Sequence, residues 1–134
     1  PMQWDNSNNA GFTTGTPWID VNTNFSSINV KKDIEETNSV LHFYRNLIRI
    51  RKNDVCIQKG NYQSMMKDDE DVFAYTRTFE DMKILVVCNF HNCTKDININ
   101  MDTKEVLISN YDNEKIDLRN LKLRPYEAIM CRIW

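Results

Sequence analysis

The sequence predicts a mostly β fold: an antiparallel β-sandwich preceded by a loop arm and one long helix. Three features of the chain predict it. Residues 1–29 are dense in Asp, Asn, Ser and Gly; residues 38–52 repeat apolar side chains at helical spacing; and from residue 54 the apolar period shortens to two, with turn formers between short runs. At 134 residues, 41% hydrophobic and 27% charged, the chain has the composition of a globular protein with one core of ordinary size.

The arm comes first. Asp5 to Asn9 is purely Asp, Asn and Ser, and Gly11, Gly15 and Pro17 follow, all turn formers. Met2, Trp4, Phe12, Trp18, Ile19, Phe25 and Ile28 interrupt this polar background. An irregular stretch of this length inside a compact domain is unusual unless it is functional, and two tryptophans in it predict that it drapes over an apolar surface or rims a ligand site. The helix follows at 38–52. Val40, Phe43, Tyr44, Leu47, Ile48 and Arg51 share one face at 3, 4 spacing, Leu41 and Ile50 widen the stripe, Asn38 or Ser39 serves as N-cap, and Arg49, Arg51 and Lys52 complement the C-terminal dipole.

Strands are predicted at 60–67, 71–79, 83–90, 95–100, 104–109 and 125–133. Asp68-Asp69-Glu70 and Glu80-Asp81 form the first two turns. In the second strand Phe73, Tyr75 and Phe79 share one side, which alternation marks first as a core face, and Val72, Ala74, Thr76 and Thr78 share the other. The third, Ile84-Leu85-Val86-Val87-Cys88, is apolar on both faces and therefore expected to be central.

Several functional classes are excluded or disfavoured. The longest apolar run, Ile84 to Cys88, is far short of the roughly 20 residues of a membrane span. Seventeen basic and 19 acidic residues, spread along the chain, leave no footprint for nucleic acid or an anionic membrane. Three glycines exclude a Gly-rich phosphate cradle, and neither a nucleophile elbow nor a zinc-protease helix is present. Cys88, His91 and Cys93 resemble a ligand cluster, but a zinc site wants a further pair and only Cys131 is near by strand order; Cys88 in a strand and His91 in a turn is the preferred reading. His42 is expected to be packed or solvated. Asp68, Asp69 and Glu70 are consecutive and cannot converge on one ion. Four cysteines and the absence of a leader at Pro1 favour a cytoplasmic setting, in which the triplets Asn24-Phe25-Ser26 and Asn92-Cys93-Thr94 carry no weight for glycosylation. The absence of an initiator Met suggests an excised piece.

A family resemblance is carried by Pro1-Met2-Gln3-Trp4-Asp5, by Asn9-Ala10-Gly11-Phe12-Thr13-Thr14-Gly15-Thr16-Pro17-Trp18-Ile19 and by Ser27-Ile28-Asn29-Val30. It continues through Ser39-Val40, Tyr44, Leu47-Ile48, Arg51-Lys52, Phe73-Ala74-Tyr75-Thr76-Arg77 and Val86-Val87-Cys88-Asn89-Phe90, and then through Leu107-Ile108-Ser109-Asn110-Tyr111 and Leu123-Arg124-Pro125-Tyr126-Glu127-Ala128. These segments resemble the end of α-glucosidases of glycoside hydrolase family 13, of the oligo-1,6-glucosidase and trehalose-6-phosphate hydrolase types. The match covers essentially the whole chain and is weakest at 91–104 and 112–120.

The resemblance implies that residues 1–53 are the end of a catalytic TIM (β/α)8 barrel, namely the loop after strand eight and the last helix, and that 54–134 form the C-terminal antiparallel β domain. Family members are retaining enzymes with an Asp nucleophile, a Glu acid/base and a second Asp that holds sugar hydroxyls. All three lie upstream of Pro1 in the family, as does an arginine near the sugar site, so no catalytic residue is expected in this chain and the fragment alone should be inactive. Active sites of such barrels lie among the loops after the strands, so Gln3, Trp4 and Asp5 would line or support an active-site wall. The implied function is hydrolysis of short α-linked glucosides, α-1,6 bonds favoured, on an oligosaccharide held by a barrel outside these residues, with no cofactor and no metal. Two alternatives stand beside it: a stand-alone carbohydrate-binding or structural β-sandwich that stacks sugars on Phe73, Tyr75 and Phe79, and self-association through the helix face Val40, Phe43, Tyr44, Leu47 and Ile48.

Overall fold

The computed structural model describes residues 1–112 and 115–134. The chain divides into two compact units, Pro1–Asn46 and Leu47–Trp134.

The first unit is mostly irregular, as expected, with single 3-10 turns at Asn8–Gly11 and Thr23–Ser26. A short helix, α1 (Val30–Glu35), was not evident in the sequence; it is started by Asn29, whose side chain accepts from the Lys32 amide at 2.9 Å and donates to Phe25 O at 2.9 Å. Helix α2 (Val40–Asn53) begins in this unit and ends in the second. Ser39 occupies its cap position, accepting weakly from the His42 amide at 3.4 Å while donating to Asp33 O at 2.6 Å. The apolar stripe of α2 divides in two. Phe43, Leu47 and Ile50 are half-buried, whereas the i, i+4 row Val40, Tyr44 and Ile48 stands open, Val40 being 70% exposed.

The second unit opens with α3 (Val55–Lys59), capped by Asp54, which accepts from the Ile57 amide at 3.1 Å. It is only five residues long, too short to show a helical period, and the sequence pattern did not indicate it. Seven strands follow among the described residues: β1 (Asn61–Met65), β2 (Val72–Phe79), β3 (Met82–Asn89), β4 (Lys95–Ile97), β5 (Thr103–Ser109), β6 (Leu121–Leu123) and β7 (Ala128–Ile133). They form a five-stranded antiparallel sheet in the order β1-β2-β3-β7-β5 and a two-stranded sheet β4-β6. The predicted strand 95–100 stops at Ile97, and 125–133 starts only at Ala128, because Pro125 cannot donate to a ladder and Tyr126 sits at φ +55°. Strand β6 is three residues long and was not anticipated.

Between the two sheets lies the main core. Val72, Ala74, Leu85, Val87, Ile129, Cys131 and Ile133 of the larger sheet meet Ile97, Leu121 and Leu123 of the smaller, with Ile99 and Leu118 closing it. The fold is thus the antiparallel sandwich expected, and β3 is central with both faces in use: Leu85 and Val87 enter this core while Ile84 packs with Cys56 and Ile57 on the opposite side. One assignment is reversed. The core side of β2 is Val72, Ala74 and Thr76, whereas Phe73 is 44% exposed and Tyr75 half-buried; only Phe79 joins a buried cluster on their side. Alternation identifies the residues that share a face; the position of the second sheet determines which face is inside.

Two local devices tie the unit together. Gly60 lies where a Cβ would come 2.4 Å from Cys56 O, so the exit from α3 admits no side chain. Glu127, 2% exposed, accepts from the Arg124 amide at 2.7 Å and from its guanidinium at 2.6 and 3.0 Å, closing the turn between β6 and β7.

Candidate functional site

The arm is built around hydrogen bonds. Among its 46 residues the first unit fully buries one apolar side chain, Ala10, together with Asn29 and Ser39. Its backbone is instead pinned segment to segment: Val30 N donates to Gln3 O at 2.9 Å, Lys31 N to Trp4 O at 3.0 Å, and Trp4 N and Asp5 N both donate to Ala10 O, at 2.9 and 3.2 Å. Gln3 adds a side-chain brace, its amide nitrogen donating to Asn24 Oδ1 and to Ile28 O, each at 2.8 Å. Residues 3–4 are thereby locked against 24–31.

Asp5 serves the turn that follows. Its carboxylate accepts from the Ser7 amide at 2.8 Å and from the Ser7 hydroxyl, and these bonds hold it below the usual carboxylate range. Beyond it Asn9, Ala10 and Gly11 take three successive left-handed conformations, φ +52°, +56° and +66°. Two of the three are not glycine, an arrangement that persists only where surrounding bonds over-determine it. Asn9 supplies them, donating to Thr13 O at 3.1 Å and Gly15 O at 2.9 Å. At Gly11 a Cβ would stand 2.8–2.9 Å from the Asp5 carboxylate, so only glycine fits.

Of the predicted wall residues, Gln3 and Asp5 are therefore braces, half-buried and engaged within the arm, and Trp4 is the exposed side chain they flank. Met2, Phe12, Ile19 and Ile28 are exposed as well, and Trp18 is 91% exposed. The sequence pattern did not reveal the bracing roles of Asn9, Asn24 and Asn29. Their only signal was the Asn-rich composition, which is equally that of any loop.

The metal-like residues do not converge. Cys88 lies on the face of the sheet opposite Cys131, and His91 Nε2 is 3.0 Å from Asp71 Oδ1, while the other oxygen, Asp71 Oδ2, pairs with Lys95. No group of three or more potential ligands occurs among the described residues. Burial pushes the Cys131 thiol up to about 12 and raises those of Cys56 and Cys88, away from nucleophilic thiolates. His42 Nε2 lies 3.1 Å from Ile34 O, Asp68–Glu70 form an exposed turn, and no helix is long and apolar enough to cross a membrane.

The family profile for the α-amylase catalytic domain matches residues 1–60, and that for the C-terminal domain of the α-amylase SusG matches 72–130. The chain is 46% identical to an oligo-1,6-glucosidase of Parageobacillus thermoglucosidasius and 40% identical to a trehalose-6-phosphate hydrolase of Bacillus subtilis strain 168, over 99% of its own length and 25% of theirs. Among solved structures it superposes on the trehalulose synthase of Pseudomonas mesoacidophila MX-45 with a TM-score of 0.93 at 36% identity, over the whole chain and 25% of that enzyme. The chain thus spans about a quarter of the length of these relatives. With the catalytic-domain profile matching its first 60 residues and the C-terminal-domain profile matching 72–130, it belongs to glycoside hydrolase family 13.

Proposed function

We propose that the polypeptide of which this chain forms about a quarter is an α-glucosidase that hydrolyses short α-linked glucosides, α-1,6 bonds favoured, by the retaining two-carboxylate mechanism. The observation that carries this reading is the 46% identity to an oligo-1,6-glucosidase along 99% of the chain, against 40% for a trehalose-6-phosphate hydrolase. In it residues 1–53 complete the barrel as the loop after strand eight and the last helix, and 54–134 are the C-terminal β domain. The catalytic carboxylates and the oligosaccharide site belong to the remainder of the barrel, and the setting is cytoplasmic, a reading that rests on cysteine usage.

The arm's part is positional. Gln3 and Asp5 fix the backbone on either side of Trp4, and the indole serves as an apolar panel of the active-site wall that excludes water and orients a sugar ring. A unit that buries one apolar side chain while leaving Met2, Trp4, Phe12 and Trp18 exposed supports the idea that it leans on a larger body. The bare row Val40, Tyr44 and Ile48 would lead the isolated chain to self-associate, which sedimentation at two concentrations would detect.

The full-length protein should hydrolyse isomaltose with retention of the anomeric configuration, followed by NMR, and the 134-residue chain alone should show no turnover. A preference for trehalose 6-phosphate would overturn the linkage assignment. Turnover by the isolated chain would overturn the reading as a whole.

A further inference from the structure

Strand β7 delivers its last core residue, Ile133, and is followed by Trp134, whose side chain is 73% exposed. Two contacts fix that residue: the Trp134 amide donates to Asp102 O at 3.1 Å, and Lys104 Nζ stands 4.1 Å from the ring centroid. Asp102 links it to what lies beside it, because Asp102 Oδ2 accepts from the Arg119 guanidinium at 2.9 Å. Arg119 in turn lines a cavity of about 380 Å³ at the smaller sheet, where Asp96, Asn98 and Asn120 are the other polar walls and Ile97 and Leu121 the apolar ones.

The amides of this cavity are fixed through their donors. Asn98 Nδ2 donates to Arg119 O at 2.6 Å and Asn120 Nδ2 to Asp117 Oδ2 at 2.9 Å, which leaves each Oδ1, and the Asp96 carboxylate, without a partner among the described residues. Arg119 spends one guanidinium N–H on Asp102 and has others to give. Charge is balanced: Asp96, Asp102 and Asp117 stand against Lys104, Arg119 and Lys122, the last directly across from Asp96 in the β4-β6 ladder. A surface so balanced has no pull on a phosphate or a polyanion. Preset acceptors and donors suit neutral hydroxyls, and an open indole suits the apolar face of a sugar ring.

We propose that Trp134, Asp102 and the cavity of Asp96, Asn98, Arg119 and Asn120 form a binding site for a neutral oligosaccharide, a segment of an α-glucan, which is held there without being cleaved. Because the indole and both amides are already fixed, little ordering is left for the ligand to induce. The choice of a glucan among neutral saccharides rests on the proposed glucosidase; the chemistry of the site does not.

Affinity electrophoresis of the full-length protein tests this, in native gels cast with dextran, soluble starch or dextran sulfate. Dextran or starch should retard the wild type, and Trp134→Ala and Asn120→Ala should each weaken the apparent affinity at least about fivefold, the scale of one lost ring contact. Trp134→Phe keeps a ring and should retain most of the retardation. Both positions are exposed, so urea midpoints and initial rates on isomaltose should be the same in all four proteins. No retardation by either neutral glucan, or retardation that both alanine variants keep, would overturn the proposal. So would retardation by dextran sulfate alone, which would mark an anion site. The isomaltose rates keep the two questions apart: a protein without turnover whose retardation is lost in the variants would refute the activity and leave the site standing.

Discussion

Asp54 joins α3 to the sheet, and its two oxygens do different work. Oδ1 caps α3 through the Ile57 amide at 3.1 Å, while Oδ2 pairs with the Arg132 guanidinium on β7; the carboxylate is 6% exposed. Asp54→Asn keeps an acceptor for the cap and removes the charge. A charge-assisted bond contributes about 1.5–3 kcal/mol and a neutral one about 0.5–1.5, so the loss should be about 1–2 kcal/mol. It stays at that level because Arg132 is partly solvated and has Glu105 Oε2 at 3.6 Å, so its charge is not stranded. Asp54→Ala also removes the cap, worth about 1 kcal/mol, for a total of about 2–3 kcal/mol. Combining Asp54→Asn with Arg132→Met should cost less than the sum of the two single changes by about 1 kcal/mol, since both delete the same interaction. Urea denaturation of the chain at pH 7, followed by far-UV circular dichroism, measures all four variants. The reasoning fails if Asp54→Ala is no more destabilising than Asp54→Asn, which would deny the cap, or if the double variant is strictly additive, which would deny the pair.

Other outcomes follow from the same structure. Leu85→Ala, at a fully buried site on the central strand, should lower unfolding free energy by about 3–4 kcal/mol in the same assay. Gly11→Ala places a Cβ against the Asp5 carboxylate at positive φ, a strain of about 1–3 kcal/mol, and should speed limited proteolysis within residues 5–20 while leaving the β domain intact. Of four thiols only Cys93 is exposed, and burial raises the other three, so Ellman's reagent at pH 8 should titrate one equivalent quickly and the rest only in denaturant. Asp71 is held low chiefly by its hydrogen bond from Lys95, so its stabilising contribution is complete above the unfolded carboxylate value near 3.9 and disappears as pH falls through the lower folded value. The gap in urea midpoint between wild type and Asp71→Asn should therefore still be present at pH 5 and close below about 4.

Much of the fold was legible because its signals are local. The 3.6 period of Val40 to Ile50 and the period of two from Val72 to Cys88 depend only on neighbours along the chain, and Ile84 to Val87, apolar at every position, pointed to the central strand that β3 is. Short elements escaped for the same reason: α3 spans five residues and β6 three, too few for a period to show, although Asp54 before Val55 was a visible cap signal. In the candidate site the tryptophans and turn formers of the arm were readable by type. The division of labour among Gln3, Trp4 and Asp5 was not, because it depends on bonds to Asn24, Ile28 and Ala10 that are distant in sequence or made through the backbone.

By itself the sequence determined the types of the longer elements, the sandwich class and the family, since periodicity, turn chemistry and motif identity are properties of the linear chain. Only the tertiary structure decided which side of β2 faces inward, that Phe73 and Tyr75 stand outside, and that the arm is held by hydrogen bonds around a single buried alanine. Facing and exposure are set by what packs across from a residue, and a one-dimensional pattern carries no information about that partner.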